Sequence, residues 1–102
     1  ISKNNKINFK EGMIVSNEPG YYESGKFGIR IENLIRVKKK KKVYSFDNLT
    51  MAPIDKSLVN KEILKKNELN WLNSYHKDVF NNLKKFMNKS ELVELKLACS
   101  KI

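Results

Sequence analysis

Glu18, Arg30 and Glu32 are the side chains best placed to do chemistry together. Arg30 and Glu32 are two residues apart in an extended run, so both point to one face of a strand. If Glu18 faces the same side, two carboxylates and a guanidinium converge. Carboxylates are hard oxygen donors suited to Mn, Mg or Ca, and the planar guanidinium fork can orient them by hydrogen bonding. Two carboxylates make an incomplete metal site, because Zn takes at least three protein ligands and Ca or Mn more oxygens. The same residues also fit an ordinary hairpin with a surface ion pair, worth only about 0–1 kcal/mol. Tyr21 and Tyr22 follow Pro19-Gly20 directly. One could line a substrate pocket and the other pack, and the sequence does not say which. His76 is the only histidine and sits on an expected helix, where a hydrogen-bonded structural role fits it. Cys99 is the only cysteine, so no disulfide forms within the chain.

The elements that must position these groups are readable from period and punctuation. Met13-Ile14-Val15-Ser16-Asn17 is an extended run that delivers Glu18. Pro19 has no donor for a ladder, and Gly20 tolerates unusual backbone angles. Ser24-Gly25 reverses the chain. Phe27-Gly28-Ile29-Arg30-Ile31-Glu32 returns as a strand with Phe27, Ile29 and Ile31 on one face and Gly28, Arg30 and Glu32 on the other. Gly28 leaves room for a close approach on the carboxylate face. Leu34-Ile35-Arg36-Val37 continues the strand, Val43-Tyr44-Ser45-Phe46 pairs back, and Leu49-Thr50-Met51 is expected to add another strand, ended by Pro53. Residues 1–10 read as a polar loop or short edge strand.

From Ser57 the period becomes helical. Leu58, Val59, Ile63 and Leu64 suit a short helical piece. Leu69, Leu72, Tyr75, Val79, Leu83 and Phe86 recur at three- and four-residue steps, which predicts a helix over 68–87. Trp71 and Phe80 widen its apolar stripe. Ser90 is the expected N-cap of a last helix over 91–98.

The 102-residue chain carries a formal charge of +10, much of it in the five consecutive lysines 38–42. Such a balance raises nucleic-acid and membrane-surface readings. No nucleic-acid-binding motif accompanies the charge, and no apolar run is long enough to span a bilayer. A run of like charges between two extended stretches reads as a solvated hairpin tip. Neither nucleic acid nor a membrane is therefore expected as a partner.

The stretch Glu11-Gly12-Met13-Ile14-Val15-Ser16-Asn17-Glu18-Pro19-Gly20-Tyr21-Tyr22, followed by Phe27-Gly28-Ile29-Arg30-Ile31-Glu32-Asn33, resembles the end of the metallopeptidase domain of the aminopeptidase P (Xaa-Pro aminopeptidase) family. Residues 46–55 resemble the strand after that family's active site, and Trp71-Leu72-Asn73-Ser74-Tyr75-His76 resembles a helix of its C-terminal extension. The likeness is strongest over residues 12–33 and weakest after Val79.

The resemblance implies an α+β fold: the C-terminal portion of a pita-bread (creatinase/aminopeptidase) catalytic domain over 1–55, antiparallel strands first, then a helical C-terminal extension over 56–102. It implies removal of the N-terminal residue from peptides with proline second, by two divalent metal ions, with Mn the expected ion, sharing a bridging hydroxide. Glu18 would bind one metal and shuttle a proton, Glu32 would bridge both, and Arg30 would orient them. Tyr21 and Tyr22 are the substrate-contact candidates. Two Asp and one His ligand would come from an upstream segment of the same enzyme, so this chain would be a fragment holding part of an active site. A homodimer supported by the extension, with Trp71 and Phe80 exposed at its interface, and a cytoplasmic setting complete the expectation. A prolidase limited to dipeptides and a non-catalytic basic binding module are the alternatives.

Overall fold

The computed structural model describes residues 6–102. Of the segment 1–10, the first five residues lie outside the described residues. The chain divides into two compact units, one ending at Thr50 and the other running from Met51 to Ile102.

The first unit is built from five strands. β1 (Ile14–Asn17) pairs antiparallel with β4 (Asn33–Lys40), and β4 pairs with β5 (Val43–Asn48), giving the order β1-β4-β5. Between β1 and β4, β2 (Gly20–Glu23) pairs with β3 (Phe27–Arg30) as a separate two-stranded sheet. The two ladders keep one register. Asn17 lies opposite Asn33, and Gly20 lies opposite Arg30. A single long hairpin is thus interrupted once, at Glu18-Pro19 on one side and Ile31-Glu32 on the other. Pro19 explains the interruption: its carbonyl still accepts from the Ile31 N–H at 3.1 Å, but it has no N–H to return the bond. At the far end, residues 24–26 close the turn, Gly25 takes φ +72°, and the Lys26 N–H reaches the Glu23 carbonyl at 3.0 Å.

Central strand β4 holds the one fully buried apolar side chain described in this unit, Val37. Its N–H donates to the Met13 carbonyl at 2.8 Å, and its carbonyl accepts from Gly12, which takes φ +85°. The lysine run is not all tip. β4 continues through Lys40, and only Lys41-Lys42 make the turn, with Lys41 at φ +57°. Lys38 and Arg36 both pair with Asp47 across the ladder. Those two contacts, Lys38 first, hold the Asp47 carboxyl below its usual range.

No strand forms over Leu49-Thr50-Met51, contrary to expectation. The Leu49 N–H still bonds the Leu34 carbonyl at 2.8 Å, but the Leu34 N–H turns to the Thr50 hydroxyl at 2.8 Å. The Asn48 side-chain amide donates to the Thr50 carbonyl. Side chains thereby take over the ladder partners and the strand ends at Asn48.

The second unit begins with an extended segment fixed at every second residue. Tyr75 donates its hydroxyl to the Ala52 carbonyl at 2.7 Å. The Ile54 N–H donates to His76 Nε2 at 3.1 Å. Lys56 Nζ donates to the Leu97 and Ser100 carbonyls, both at 2.9 Å, and to Ser100 Oγ at 2.6 Å. Two 3₁₀ turns, Lys56–Leu58 and Lys61–Ile63, are capped by Asp55 and Asn60. Then come α1 (Lys66–Leu83), a 3₁₀ turn (Lys84–Phe86) and α2 (Lys89–Ala98).

Tyr75, Val79 and Leu95 form the core here, with Met51, Ile54, Phe80, Leu83, Met87 and Cys99 packed around them. Phe80 therefore faces the core and is not the exposed residue expected. Trp71 stacks on Tyr75 at 5.5 Å between ring centroids, yet stays 57% exposed. The N-cap of α2 is Asn88 and not Ser90. The Asn88 side chain accepts from the Glu91 N–H while Glu91 accepts from the Asn88 N–H, a capping box. Ser90 as cap would put Val93 at the third position, where no side-chain oxygen could answer.

His76 is fully buried. Its Nε2 accepts a bond, so the neutral ring carries its proton on Nδ1, which meets no partner among the described residues. Burial first, and the Lys56 ammonium second, push its pKa below 6.5. The unfolded chain takes up this proton near pH 6.5 while the folded chain refuses it, so stability falls as pH drops below about 6.5 and is flat above. The melting temperature of the intact protein, followed from pH 7.5 to 5, is expected to fall below pH 6.5, and the fall should be smaller in His76→Gln. An equal fall in that variant would remove His76 as its source.

Candidate active site

The interruption in the hairpin is where the expected site residues meet. With one register on both sides of the break, Glu18 stands opposite Glu32. The two carboxylates are cross-strand neighbours, an arrangement that costs stability unless positive charge intervenes. Arg30 supplies that charge. Its Nη1 lies 3.8 Å from Glu18 Oε2, and it feels the negative charge of Glu32 as well.

Arg30 is held by a second contact that the sequence reading did not foresee. Its Nε–H donates to the Tyr22 hydroxyl at 2.6 Å. This hydrogen bond is the largest of the influences that raise the Arg30 pKa, ahead of the two glutamates. These contacts favour the charged guanidinium.

Tyr22 owes its position to two glycines. It lies directly across the ladder from Gly28 and two residues beyond Gly20 on its own strand. A methyl group added to Gly28 would sit 2.6 Å from Tyr22 Cδ1, and one added to Gly20 would sit 2.7 Å from the Tyr22 hydroxyl oxygen. The ring thus lies flat over both positions. The room expected above Gly28 is filled by the chain's own tyrosine. The register needed to see this was available in principle, because the Ser24-Gly25 turn fixes which residues of the two strands pair.

The structure separates the two tyrosines. Tyr22 shares the face of Glu18, Arg30 and Glu32. Tyr21 lies on the opposite face, its ring 5.9 Å from that of Phe27. His76 and Cys99 belong to the other unit. Among the described residues no group of three or more His, Cys, Asp or Glu side chains could hold a metal ion. The donor set Glu18 and Glu32, opposed in register with the Arg30 guanidinium beside Glu18, fits part of a hard-cation site and needs further donors to complete it.

A family model described as the C-terminal region of peptidase M24 matches residues 42–102, more than half of the chain, and the model for metallopeptidase family M24 matches residues 1–39. The chain belongs to the M24 metallopeptidase family. This M24 chain is 44% identical over 95 residues to a probable Xaa-Pro aminopeptidase P of Tuber melanosporum, covering 85% of the chain and 15% of that relative. It is 46% identical over 81 residues to Xaa-Pro aminopeptidase 1 of Dictyostelium discoideum, covering 74% of the chain and 13% of the relative. Among solved structures it matches X-prolyl aminopeptidase from Caenorhabditis elegans, described as a cytosolic enzyme with a di-nuclear active site. That match has a TM-score of 0.83 and 33% identity, over 99% of this chain and 18% of the other. The M24 chain thus spans about a sixth of the relatives it matches, and its fold is the pita-bread portion with antiparallel strands followed by helices.

The glycine seat of Tyr22 is testable by a double-mutant cycle in the intact protein. Gly28→Ala is expected to cost about 1–3 kcal/mol by overpacking, and distinctly less in a Tyr22→Ala background. Urea denaturation of the four variants measures this. Additive costs would mean that the ring does not occupy the space over Gly28.

Proposed function

We propose that this chain forms the C-terminal part of an Xaa-Pro aminopeptidase, which removes the N-terminal residue from peptides with proline in second position. The observation that carries this reading is the Glu18–Glu32 pair facing across the Pro19 break with Arg30 beside it. The names of the relatives support a peptide substrate over the dipeptide-only substrate of a prolidase.

Glu18 and Glu32 would hold part of a pair of divalent cations, Mn being our preferred ion, with two Asp and one His from the remainder of the enzyme as the other ligands. When bound, such a pair supplies a nucleophile from water at neutral pH and polarises the scissile carbonyl. The rest of the work falls to this chain's own groups. Glu32, with two oxygens, is suited to serve both cations. Glu18 would hold one cation and pass a proton to the leaving nitrogen of proline. Arg30, anchored by Tyr22, fixes the orientation of Glu18 and tempers the repulsion between the carboxylates. Tyr22 borders the site through its exposed ring edge and is the better substrate-contact candidate. Tyr21, on the other face, packs with Phe27.

We further place the enzyme in the cytosol, as its C. elegans relative is described. We also propose a homodimer supported by the helical unit, with the half-exposed Trp71 at its contact.

Glu32→Gln is expected to lower metal-dependent cleavage of an Xaa-Pro peptide by at least a thousandfold with the fold intact, and Glu18→Gln by about a hundredfold or more, in the range of general acid–base contributions. Turnover with metal content read on the same samples checks this, and retained activity at normal metal content would overturn the Glu32 assignment. Trp71→Ala should shift the sedimentation mass from dimer toward monomer. An unchanged mass would place the dimer contact elsewhere.

A further inference from the structure

A cleft in the helical unit has no place in the peptidase chemistry. It lies between α1 and the end of α2 and has a volume of about 610 Å³, within the range of small-molecule sites. Phe80 and Cys99 supply apolar lining, and Asn70, Asn73, Ser74 and Ser100 supply polar lining. Three lysines line it: Lys77 from α1, Lys96 from α2 and Lys101 beyond α2. No carboxylate lines it.

Lys26 and Lys38 pair with carboxylates, and Lys56 spends all three of its protons on Leu97 and Ser100. Lys77, Lys96 and Lys101 meet no acceptor among the described residues. The Lys56 contacts matter here too. The C-terminal end of a helix presents carbonyls and a negative dipole. Lys56 places a positive charge on the Leu97 carbonyl near the end of α2 and on Ser100 just beyond it, which offsets part of that dipole. The cleft therefore gathers three lysines that have no ion-pair partner among the described residues.

We propose that this cleft binds the phosphate group of a small phosphorylated metabolite, with the body of the ligand on Phe80 and Cys99. The absence of arginine favours phosphate over carboxylate. A guanidinium fork matches a planar carboxylate, whereas mobile ammonium groups act as point charges that can gather around a tetrahedral oxyanion. This inference does not depend on the aminopeptidase reading.

The test uses the intact protein at constant ionic strength, with inorganic phosphate and phenyl phosphate as probes and phosphorus NMR line broadening as readout. Both probes are expected to bind saturably, phenyl phosphate at least fivefold more tightly because of the apolar lining. The double substitution Lys77→Gln/Lys96→Gln should weaken binding at least tenfold. Lys39→Gln/Lys40→Gln, which removes equal charge from the strand unit, should leave it unchanged. Absence of saturation, an equal loss in the second pair, or equal competition by citrate would each overturn the proposal. Alkylation of Cys99 followed by mass spectrometry provides a readout in the unmutated protein: phenyl phosphate should slow it severalfold, and unchanged modification would place the ligand elsewhere.

Discussion

One missing backbone proton organises the strand unit. Pro19 cannot complete the ladder, so the hairpin opens for two residues on each side and closes again in the same register. Because the register is kept, the residues bordering the opening are not displaced to opposite faces. They remain opposed, and both are glutamates. A bulge would have added a residue on one side and turned one carboxylate away. A proline interrupts pairing at no cost in alignment. The cost appears instead as repulsion between two like charges. Arg30 answers that repulsion within this chain, and a bound cation would do so more completely.

Arg30 in turn depends on a chain of small constraints. Its Nε–H needs the Tyr22 hydroxyl at 2.6 Å, and the Tyr22 ring needs two positions without Cβ atoms beneath it. The charged group that orients the site is therefore fixed by packing on the same short hairpin, and not by a separate part of the fold. Tyr22 and Arg30 are both substantially exposed. Their order comes from the rigidity of the ring and the planar guanidinium more than from burial.

Much of this was legible in the residues. The extended run before Glu18, the turn at Ser24-Gly25 and the alternation through Glu32 are local signals, and local signals survive folding. The helix over Lys66–Leu83 was equally plain from its apolar stripe. What escaped the reading was reciprocity between side chains. Ser90 looked like a cap, but only Asn88 has a glutamate three residues on to return the bond. Leu49-Thr50-Met51 looked like a strand by composition, yet the Thr50 hydroxyl and Asn48 amide intercepted the ladder. Phe80 looked like an interface residue because the apolar stripe is wide, and the return of α2 decides which part of a wide stripe is covered. The pairing of Lys38 in β4 was likewise invisible, since Asp47 meets it only through the cross-strand register.

The tyrosine lying across Gly20 and Gly28 also constrains how this sequence can drift. The three positions form one unit in sequence space. While the ring is present, neither glycine can readily accept a side chain, whatever its intrinsic strand propensity. Gly28 is the more restricted, because a methyl there meets the base of the ring and not its free end. If Tyr22 is replaced first by a small residue, both glycines are released and Arg30 loses its anchor. Substitution of Gly28 before Tyr22 must pass through a crowded intermediate. Among relatives these residues should therefore change together, with the tyrosine leading, and the guanidinium should be kept longest where the opposed carboxylates are kept.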